Sequence, residues 1–406
     1  MKYRNIIICS LLSLVLGAAL LRFLTCHPLL MNFYLLAVCL SSFAIILLLI
    51  LSYQQRQRLK HTLWLCLLLI FISYIAALNS FMHPADLHFL PPILRTKGDG
   101  GLGHTAVILL AHGEPETYDP NPWIKQMKEF DEQNIPFIPY ALRPFFFFNL
   151  REKYLLAGKS GHNDECLQIM KQLEAEYRFR GDQKTKFYIS YLENEPHPNT
   201  AVISALNEGA SNIILCNLFL TISSHTQEAI NLIDPLKIQD YNVKIAFSRP
   251  LYDSKILQQL YIDAVNRNIK NSDKKKIGII LVGHGQPVEW DERFITQTQQ
   301  ETSFRMDILK QLEQAGYHAE NLKLAWMDFR PPAPKEAVEQ LMQNNVDAIY
   351  YFSTIIGSES MHAKYDVPAL FTGLDETSTL KVQQLTAFED KAGIVKALLE
   401  RIEELK

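Results

Sequence analysis

The sequence predicts two similar Rossmann-like α/β lobes, each built on a parallel sheet, preceded by an all-α membrane segment of about three helices. Three observations support this fold class. The first 81 positions contain long apolar stretches and no acidic residue. From about residue 105 onward, short apolar runs alternate with amphipathic segments, a pattern typical of βαβ units. Finally, the motif His-Gly-x-Pro follows an apolar run twice, 172 positions apart.

The membrane segment is predicted from apolar stretches at Ile6–Phe23, Leu30–Tyr53 and Leu63–Leu78. A helix needs about 20 apolar residues to cross a bilayer, and these stretches reach or approach that length. A buried core helix would be amphipathic or flanked by acidic residues, and these are neither. The first stretch also resembles a cleaved signal peptide, although no clear small-x-small site precedes Arg22. We therefore expect a multi-pass protein of the cell membrane.

Basic residues indicate an orientation for these helices. With three spans, the N-terminus and the loop 54–61 share one side of the membrane. The two sides carry five and three basic residues, respectively: Lys2, Arg4, Arg56, Arg58 and Lys60 on one, and Arg22, Arg95 and Lys97 on the other. The positive-inside rule then places the soluble body outside the cytoplasm.

The charge of the chain is unevenly distributed. The overall net charge is −3, but the 325 residues after position 81 contain 34 basic and 43 acidic residues, a net charge of −9. An acidic body repels phosphates, so we expect no nucleic-acid partner; it also suits a protein that attracts divalent metal. The low counts of 17 Gly, 19 Pro and 6 Cys, without a CxxC motif, exclude collagen-like and disulfide-framework classes.

The chain is expected to divide into membrane helices (residues 1–81), a Pro- and Gly-rich linker (82–103) and two lobes (104–250 and 251–406). About 300 residues exceed what one small sheet needs. We expect seven strands in the lobes, at Ala106–Ala111, Lys186–Tyr191, Asn212–Leu218, Val243–Phe247, Ile277–Val282, Leu322–Trp326 and Ala348–Phe352.

Histidines follow several of these strands. His112 and His284 come directly after the two repeated apolar runs, and ligands of open parallel sheets bind beyond the carboxyl ends of strands. A later segment carries Glu359 and His362, and its counterpart in the first lobe carries His225. Neutral imidazole binds Fe, Co, Ni and Zn and accepts protons near pH 7. The pattern indicates a histidine-rich cleft. A solvated loop face would also explain Glu359, and a helix cap would also explain His225.

From about residue 105 to the C-terminus, the sequence resembles the ferrochelatase family. Five stretches carry the resemblance in the family's order: Leu109–Pro115, Glu152–Glu165, Ser190–Leu220 with the Ser/Thr-rich loop after it, Leu281–Pro287 and Ser358–Asp366. The resemblance implies a chelatase-like fold and the insertion of a divalent metal, usually Fe²⁺, into a tetrapyrrole. The partners would be the tetrapyrrole, the metal (Fe²⁺ or Co²⁺, as a substrate) and the membrane, with no organic cofactor.

The resemblance also implies roles for single residues. His284 takes the position of the family's active-site histidine, which contacts the metal and accepts pyrrole N–H protons. His362 and Glu359 would complete the catalytic group, and His112 would join the two histidines in contacting metal. The residues expected to contact the tetrapyrrole are Tyr140, Ser160, Ser223, Ser224, His225 and Trp326.

The sequence departs from the family pattern in its last motif. The family's catalytic glutamate falls on His362, and the motif's own histidine falls on Ser360. Met361–Pro368 instead resembles the ending of small cobalt and iron chelatases that act on sirohydrochlorin and use two histidines for the metal. Two alternatives therefore stay open: a non-catalytic tetrapyrrole or metal carrier on the same scaffold, and a two-lobed ligand receptor with structural histidines. The family works in the cytoplasm, against the orientation that the basic residues favour.

Overall fold

The computed structural model describes residues 4–54, 59–84, 89–270, 272–374, 380–389 and 391–405. Three of the basic residues in the charge comparison, Lys2, Arg56 and Arg58, and part of the predicted linker lie outside the described residues. The chain forms two compact units. One consists of residues 1–88 and 117–159, and the other of residues 89–116 and 160–406.

Three long helices dominate the first unit: α1 (Arg4–Thr25), α2 (Met31–Gln54) and α3 (Leu59–Met82). Each is long and apolar enough to span a membrane. The backbones of α1 and α3 approach closely at Gly17, where a Cβ atom would lie 2.2 Å from the carbonyl oxygen of Ile70. Small residues at such crossings are common between helices in membranes.

Two shorter helices, α4 (Asn121–Glu132) and α5 (Arg143–Ala157), complete the first unit. Arg151 of α5 is fully buried and donates a hydrogen bond to the carbonyl oxygen of Phe23, 2.6 Å away near the end of α1. The Tyr118 hydroxyl donates to the carbonyl oxygen of Thr25 at 2.8 Å. These donors satisfy carbonyl groups that a helix end leaves unpaired. Residues 117–159 therefore fold with the N-terminal helices.

The second unit contains two four-stranded sheets with the same strand order. The first sheet has the order β2-β1-β3-β4 and the second β6-β5-β7-β8, and all neighbouring strands are parallel. The strands are β1 (His104–Ala111), β2 (Lys186–Tyr191), β3 (Ala210–Asn217), β4 (Lys244–Phe247), β5 (Ile277–Gly283), β6 (Leu322–Trp326), β7 (Ala348–Ser353) and β8 (Lys381–Gln384). The predicted pair of similar α/β lobes with parallel sheets is confirmed. Strand β8 was not predicted, because Lys381–Gln384 contains one apolar residue.

Helices cover both sheets and join them in one core. They are α6 (His162–Phe179), α7 (Pro198–Asn207), α8 (Ser224–Ile233), α9 (Lys255–Asn268), α10 (Asp291–Gln314), α11 (Pro334–Gln343), a short α12 (Val367–Ala369) and α13 (Lys391–Glu403). The C-terminal α13 packs against α6, α9 and β3. One cluster of buried residues includes Leu109 from the first sheet and Leu281 from the second. The two sheets thus share a continuous apolar core.

Part of the predicted linker packs against the first sheet. The guanidinium of Arg95 forms an ion pair with Asp99 and donates to the carbonyl oxygen of Ala210 at 2.7 Å. The Lys97 ammonium lies 2.8 Å from the Asp240 carboxylate. The boundaries of the linker and of the two lobes remain predictions.

Candidate active site

The two His-Gly-x-Pro motifs make the same turn at the carboxyl ends of β1 and β5. Gly113 and Gly285 have φ angles of 71° and 84°, in the left-handed region that favours glycine. A Cβ atom on Gly285 would lie 2.3 Å from the carbonyl oxygen of Asp328, and one on Gly113 would lie 2.7 Å from Cβ of Tyr191. Only glycine fits at either position, and the turn aims the preceding histidine beyond the sheet.

The turn also sets the tautomer of each histidine. His112 Nδ1 lies 2.6 Å from the carbonyl oxygen of Gly113, and His284 Nδ1 lies 2.7 Å from that of Gly285. A carbonyl oxygen only accepts hydrogen bonds, so Nδ1 carries the proton in both rings. The lone pair is therefore on Nε2, the nitrogen available to bind a metal ion or accept a proton.

Each of these histidines faces a second one. The ring centroids of His284 and His362 are 5.3 Å apart with the planes at 82°, and those of His112 and His225 are 4.6 Å apart at 87°. The second member comes from the segment after β7 in one half and after β3 in the other. The structure thus brings the predicted site residues together as two related pairs.

His362 begins a π-helix that ends at Asp366. Its Nδ1 lies 2.7 Å from Oδ2 of Asp366, so the ring donates to a carboxylate. Such a partner fixes the orientation of an imidazole and raises its basicity. Glu359, just before the π-helix, forms an ion pair with Lys364. In the other half, the nearest carboxylate oxygen of Glu228 is 4.0 Å from His225.

Burial keeps several of these imidazoles neutral. Burial and, to a smaller extent, the positive charge of protonated His362 together lower the pKa of His284 to about 4. Burial, with the charge of His225, places the pKa of His112 well below its usual value. His162, in the first turn of α6, also has its pKa lowered by burial to about 4. Neutral imidazole is the form that binds metal ions.

A partly buried carboxylate, Glu114, lies at the edge of the site. It accepts hydrogen bonds from the Ser160 hydroxyl and from the backbone N–H of Met361, the latter at 2.9 Å. Burial raises the pKa of Glu114, and the hydrogen bonds from Ser160 and Met361 oppose the shift. Ser160, a predicted tetrapyrrole contact, is itself buried beneath this carboxylate.

Two buried charged residues of α10, Glu301 and Arg305, support the turn at His284. Glu301 of α10 accepts a hydrogen bond from the backbone N–H of His284 at 2.8 Å. Arg305, one helical turn later, donates to the carbonyl oxygen of Ala325 at 2.6 Å and stacks 3.8 Å above the ring of Trp326. Trp326 is only 7% exposed. The structure thus places Trp326, a predicted tetrapyrrole contact, against Arg305, whose guanidinium donates a hydrogen bond to the end of β6.

The other predicted tetrapyrrole contacts occupy two places. Ser223 caps α8 through a reciprocal capping box with Thr226, and Ser224 begins that helix one residue before His225. Tyr140 belongs to the first unit, where its hydroxyl lies 3.4 Å from Oδ1 of Asn79. Contact of these residues with a tetrapyrrole remains a prediction.

Within the described ranges, no group of three or more His, Cys, Asp or Glu residues is arranged to hold a metal ion. The histidines meet in pairs instead. Two residues of the site, Glu301 and His162, were not predicted from the sequence. Glu301 has the pattern of an ordinary helix residue, and His162 lies in the stretch Glu152–Glu165 without a position that marks it as functional.

Two parallel sheets of one strand order, each with a histidine pair at its carboxyl end, define an α/β protein with a duplicated histidine site. The family model described as Ferrochelatase matches residues 104–405. The chain therefore belongs to the ferrochelatase family.

Solved structures show limited similarity to this chain. SirB from Bacillus subtilis with Fe³⁺ is 15% identical, with a TM-score of 0.46, and the match covers 74% of this chain and 95% of that one. The sirohydrochlorin chelatase SirB from Bacillus subtilis subspecies spizizenii, in complex with cobalt, is 12% identical, with a TM-score of 0.44 and coverage of 74% and 94%. A multi-domain protein of Deinococcus radiodurans is 10% identical, with a TM-score of 0.44 and coverage of 73% and 54%. No curated protein matches the chain.

Proposed function

We propose that this protein inserts a divalent metal ion, primarily Fe²⁺, into a porphyrin-type tetrapyrrole. We also propose that its N-terminal helices anchor it in the membrane. Membership of the ferrochelatase family supports the class of reaction. The observation that carries the proposal is the His284–His362 pair, with the Asp366 carboxylate 2.7 Å behind His362. The metal ion is a substrate in this reaction, and we propose no organic cofactor.

The chemistry requires a metal ligand and a proton acceptor. Inserting one divalent ion releases two pyrrole N–H protons, so the charge of the macrocycle stays balanced. Because burial lowers the pKa of His284 to about 4, its ring stays neutral and suits contact with the metal. Asp366 stabilises a protonated His362, so we assign proton acceptance to that ring. Two imidazoles leave most coordination positions open, which suits an ion that must be passed on.

The proposal is tested with the full chain in detergent micelles. Fe²⁺ and Co²⁺ are offered against a porphyrin and sirohydrochlorin under reducing conditions, and insertion is followed by the absorbance of the macrocycle. We expect turnover with at least one combination and its loss in His284→Ala. His318→Ala, at an exposed position 52% accessible in its side chain, serves as the control. Undiminished turnover in His284→Ala would contradict the proposed mechanism.

The replacement of the family's glutamate by His362 favours a second candidate, a non-catalytic carrier of tetrapyrrole or metal. A carrier binds the metallated macrocycle tightly and inserts no metal under any of these conditions. The same set of assays therefore separates the two functions.

The side of the membrane has a separate test. The distribution of basic residues favours a body outside the cytoplasm, whereas the family's usual location favours the inside. Alkaline phosphatase fused after Lys406 is active only outside the cytoplasm, so its activity decides between the two orientations.

A further inference from the structure

The loop that leads to His362, residues 357–361, is held by carboxylates from the other half of the unit. Glu165, in the first turn of α6, accepts hydrogen bonds from the Ser358 hydroxyl at 2.6 Å and from the backbone N–H of Glu359 at 3.1 Å. Glu114 follows β1 and accepts from the backbone N–H of Met361. The loop itself follows β7, so these bonds connect one half of the duplicated fold to the other.

The contact between α6 and the loop is close. Glu165 is only 2% exposed, so its carboxylate depends on these donors in place of water. A Cβ atom on Gly357 would lie 2.8 Å from Nδ1 of His162, and one on Gly161 would lie 3.0 Å from Oε2 of Glu359. A shift of either segment must therefore move the other, because packed interiors leave little free space.

We propose that Glu165 is a positioning residue: it holds the backbone at Ser358 and Glu359 so that His362 stands opposite His284. The inference rests on the proposed function, since His362 acts there as the proton acceptor. Removing the carboxylate leaves two partly buried donors without their acceptor, and the loop loses the bonds that fix it to α6.

The first experiment measures the loop directly, by hydrogen exchange of the full chain in detergent micelles. In Glu165→Ala we expect the amides of residues 358–361 to exchange about tenfold faster, as the loss of one partly buried hydrogen bond predicts. Glu165→Gln should keep the protection, because its amide oxygen still accepts from Glu359 and its NH₂ group donates to Ser358. Glu174→Ala, on the exposed face of the same helix, is the control. Wild-type exchange in Glu165→Ala would overturn the proposal.

The second experiment measures turnover in the same variants. We expect kcat of Glu165→Ala to fall by about 10- to 100-fold, as for a misplaced catalytic group, with KM for the macrocycle nearly unchanged and with recovery in Glu165→Gln. Ser358→Ala removes one donor only and provides a milder variant should Glu165→Ala fail to fold; it should show the same changes to a smaller extent.

The outcomes separate this inference from the proposed function. A wild-type protein without turnover contradicts the proposed function, and the exchange data still test the hold of Glu165 on the loop. Faster exchange with a wild-type kcat in Glu165→Ala would overturn the positioning role while leaving metal insertion in place.

Discussion

The two facing imidazoles of the second half differ in what lies behind them. His284 donates its Nδ1 proton to the carbonyl oxygen of Gly285, whereas His362 donates to the carboxylate of Asp366. A carboxylate stabilises a positive ring far better than a neutral carbonyl does. This difference at the level of single atoms is the reason to assign metal contact to one ring and proton acceptance to the other.

Asp366→Asn tests that assignment. The substitution keeps the shape of the side chain and removes the charge that stabilises protonated His362. We expect kcat/KM for metal insertion to fall by about 10- to 100-fold, the usual cost of losing such a partner. Asp347→Asn is the matched control, because Asp347 is exposed and is paired only loosely with Lys276, at 3.8 Å. Equal rates in the two variants would argue against His362 as the proton acceptor.

The lowered pKa of His162 predicts that the stability of the protein depends on pH. Burial lowers its pKa to about 4 in the folded protein, against about 6.5 in an unfolded chain. Between these values the unfolded state binds more protons, so the free energy of unfolding falls as the pH drops from 6.5 towards 4. In thermal denaturation of the full chain in micelles, we expect the melting temperature to fall over this range, and to fall less steeply in His162→Gln. Equal slopes in the two proteins would show that His162 does not contribute to this pH dependence.

The sequence shows some of the site residues and hides others. His112 and His284 are visible because each follows an apolar run and precedes the same Gly-x-Pro turn. Glu165 and Glu301 are not, because a glutamate inside a helix is usually solvated or paired with the helix dipole. Glu165 accepts from the backbone N–H of Glu359, more than a hundred residues further along the chain. Glu301 accepts from the backbone N–H of His284, in the loop that precedes its helix. Only the folded chain brings these groups together.

At the scale of elements, the segment between β7 and the π-helix depends on Gly357. Its φ angle of 115° is one that other residues rarely adopt, and a Cβ atom there would lie 2.8 Å from the His162 ring. We expect Gly357→Ala to destabilise the protein by about 1–2 kcal/mol for the backbone and by about 1–3 kcal/mol more for overpacking.

Gly373→Ala provides the control for that substitution. Gly373 has a φ angle of 78°, and a Cβ atom there meets nothing within 4 Å. Thermal denaturation should therefore show only the backbone cost for Gly373→Ala and a clearly larger loss for Gly357→Ala. Equal losses would mean that the packing of α6 against the loop contributes little.

Elements differ in how far the sequence reveals them. The apolar runs of β1 and β5 predict buried parallel strands directly, because both faces of such strands are covered. Strand β8 lies at the edge of its sheet and needs few apolar residues, so its residue pattern does not predict a strand. The π-helix at His362–Asp366 has no sequence signal at all, since it depends on a local change in hydrogen bonding.

At the scale of the whole molecule, the first unit contains a segment that the sequence places inside the first lobe. Residues 117–159, which include α5, contact the N-terminal helices at several positions. Arg151 donates to Phe23, Tyr118 donates to Thr25, and the rings of Phe147 and Phe81 pack 5.0 Å apart. The sequence does not reveal this grouping, because it arises from contacts between distant positions. The duplicated sheets, in contrast, follow from a repeat that is visible in the sequence.

This grouping predicts the behaviour of a shortened protein. A chain of residues 104–406 lacks Phe23 and Phe81, which contact Arg151 and Phe147, two residues fully buried in the full chain. We expect it to aggregate and to unfold at a lower temperature than the full chain in the same detergent, because each lost hydrogen bond to a buried group costs about 1–3 kcal/mol. Size-exclusion chromatography and thermal denaturation measure both effects. A monomeric fragment that melts with the full chain would contradict this expectation.

The repeated strand order has a consequence for the stability of each half. The sheets of orders β2-β1-β3-β4 and β6-β5-β7-β8, with the same His-Gly turn, are two copies of one structural unit. Because the two sheets share one apolar core, either copy without the other would leave part of that core exposed to water, which costs free energy in proportion to the apolar area. The copies differ at their histidine pairs: one pair has a carboxylate at 2.7 Å, and the other has its carboxylate at 4.0 Å.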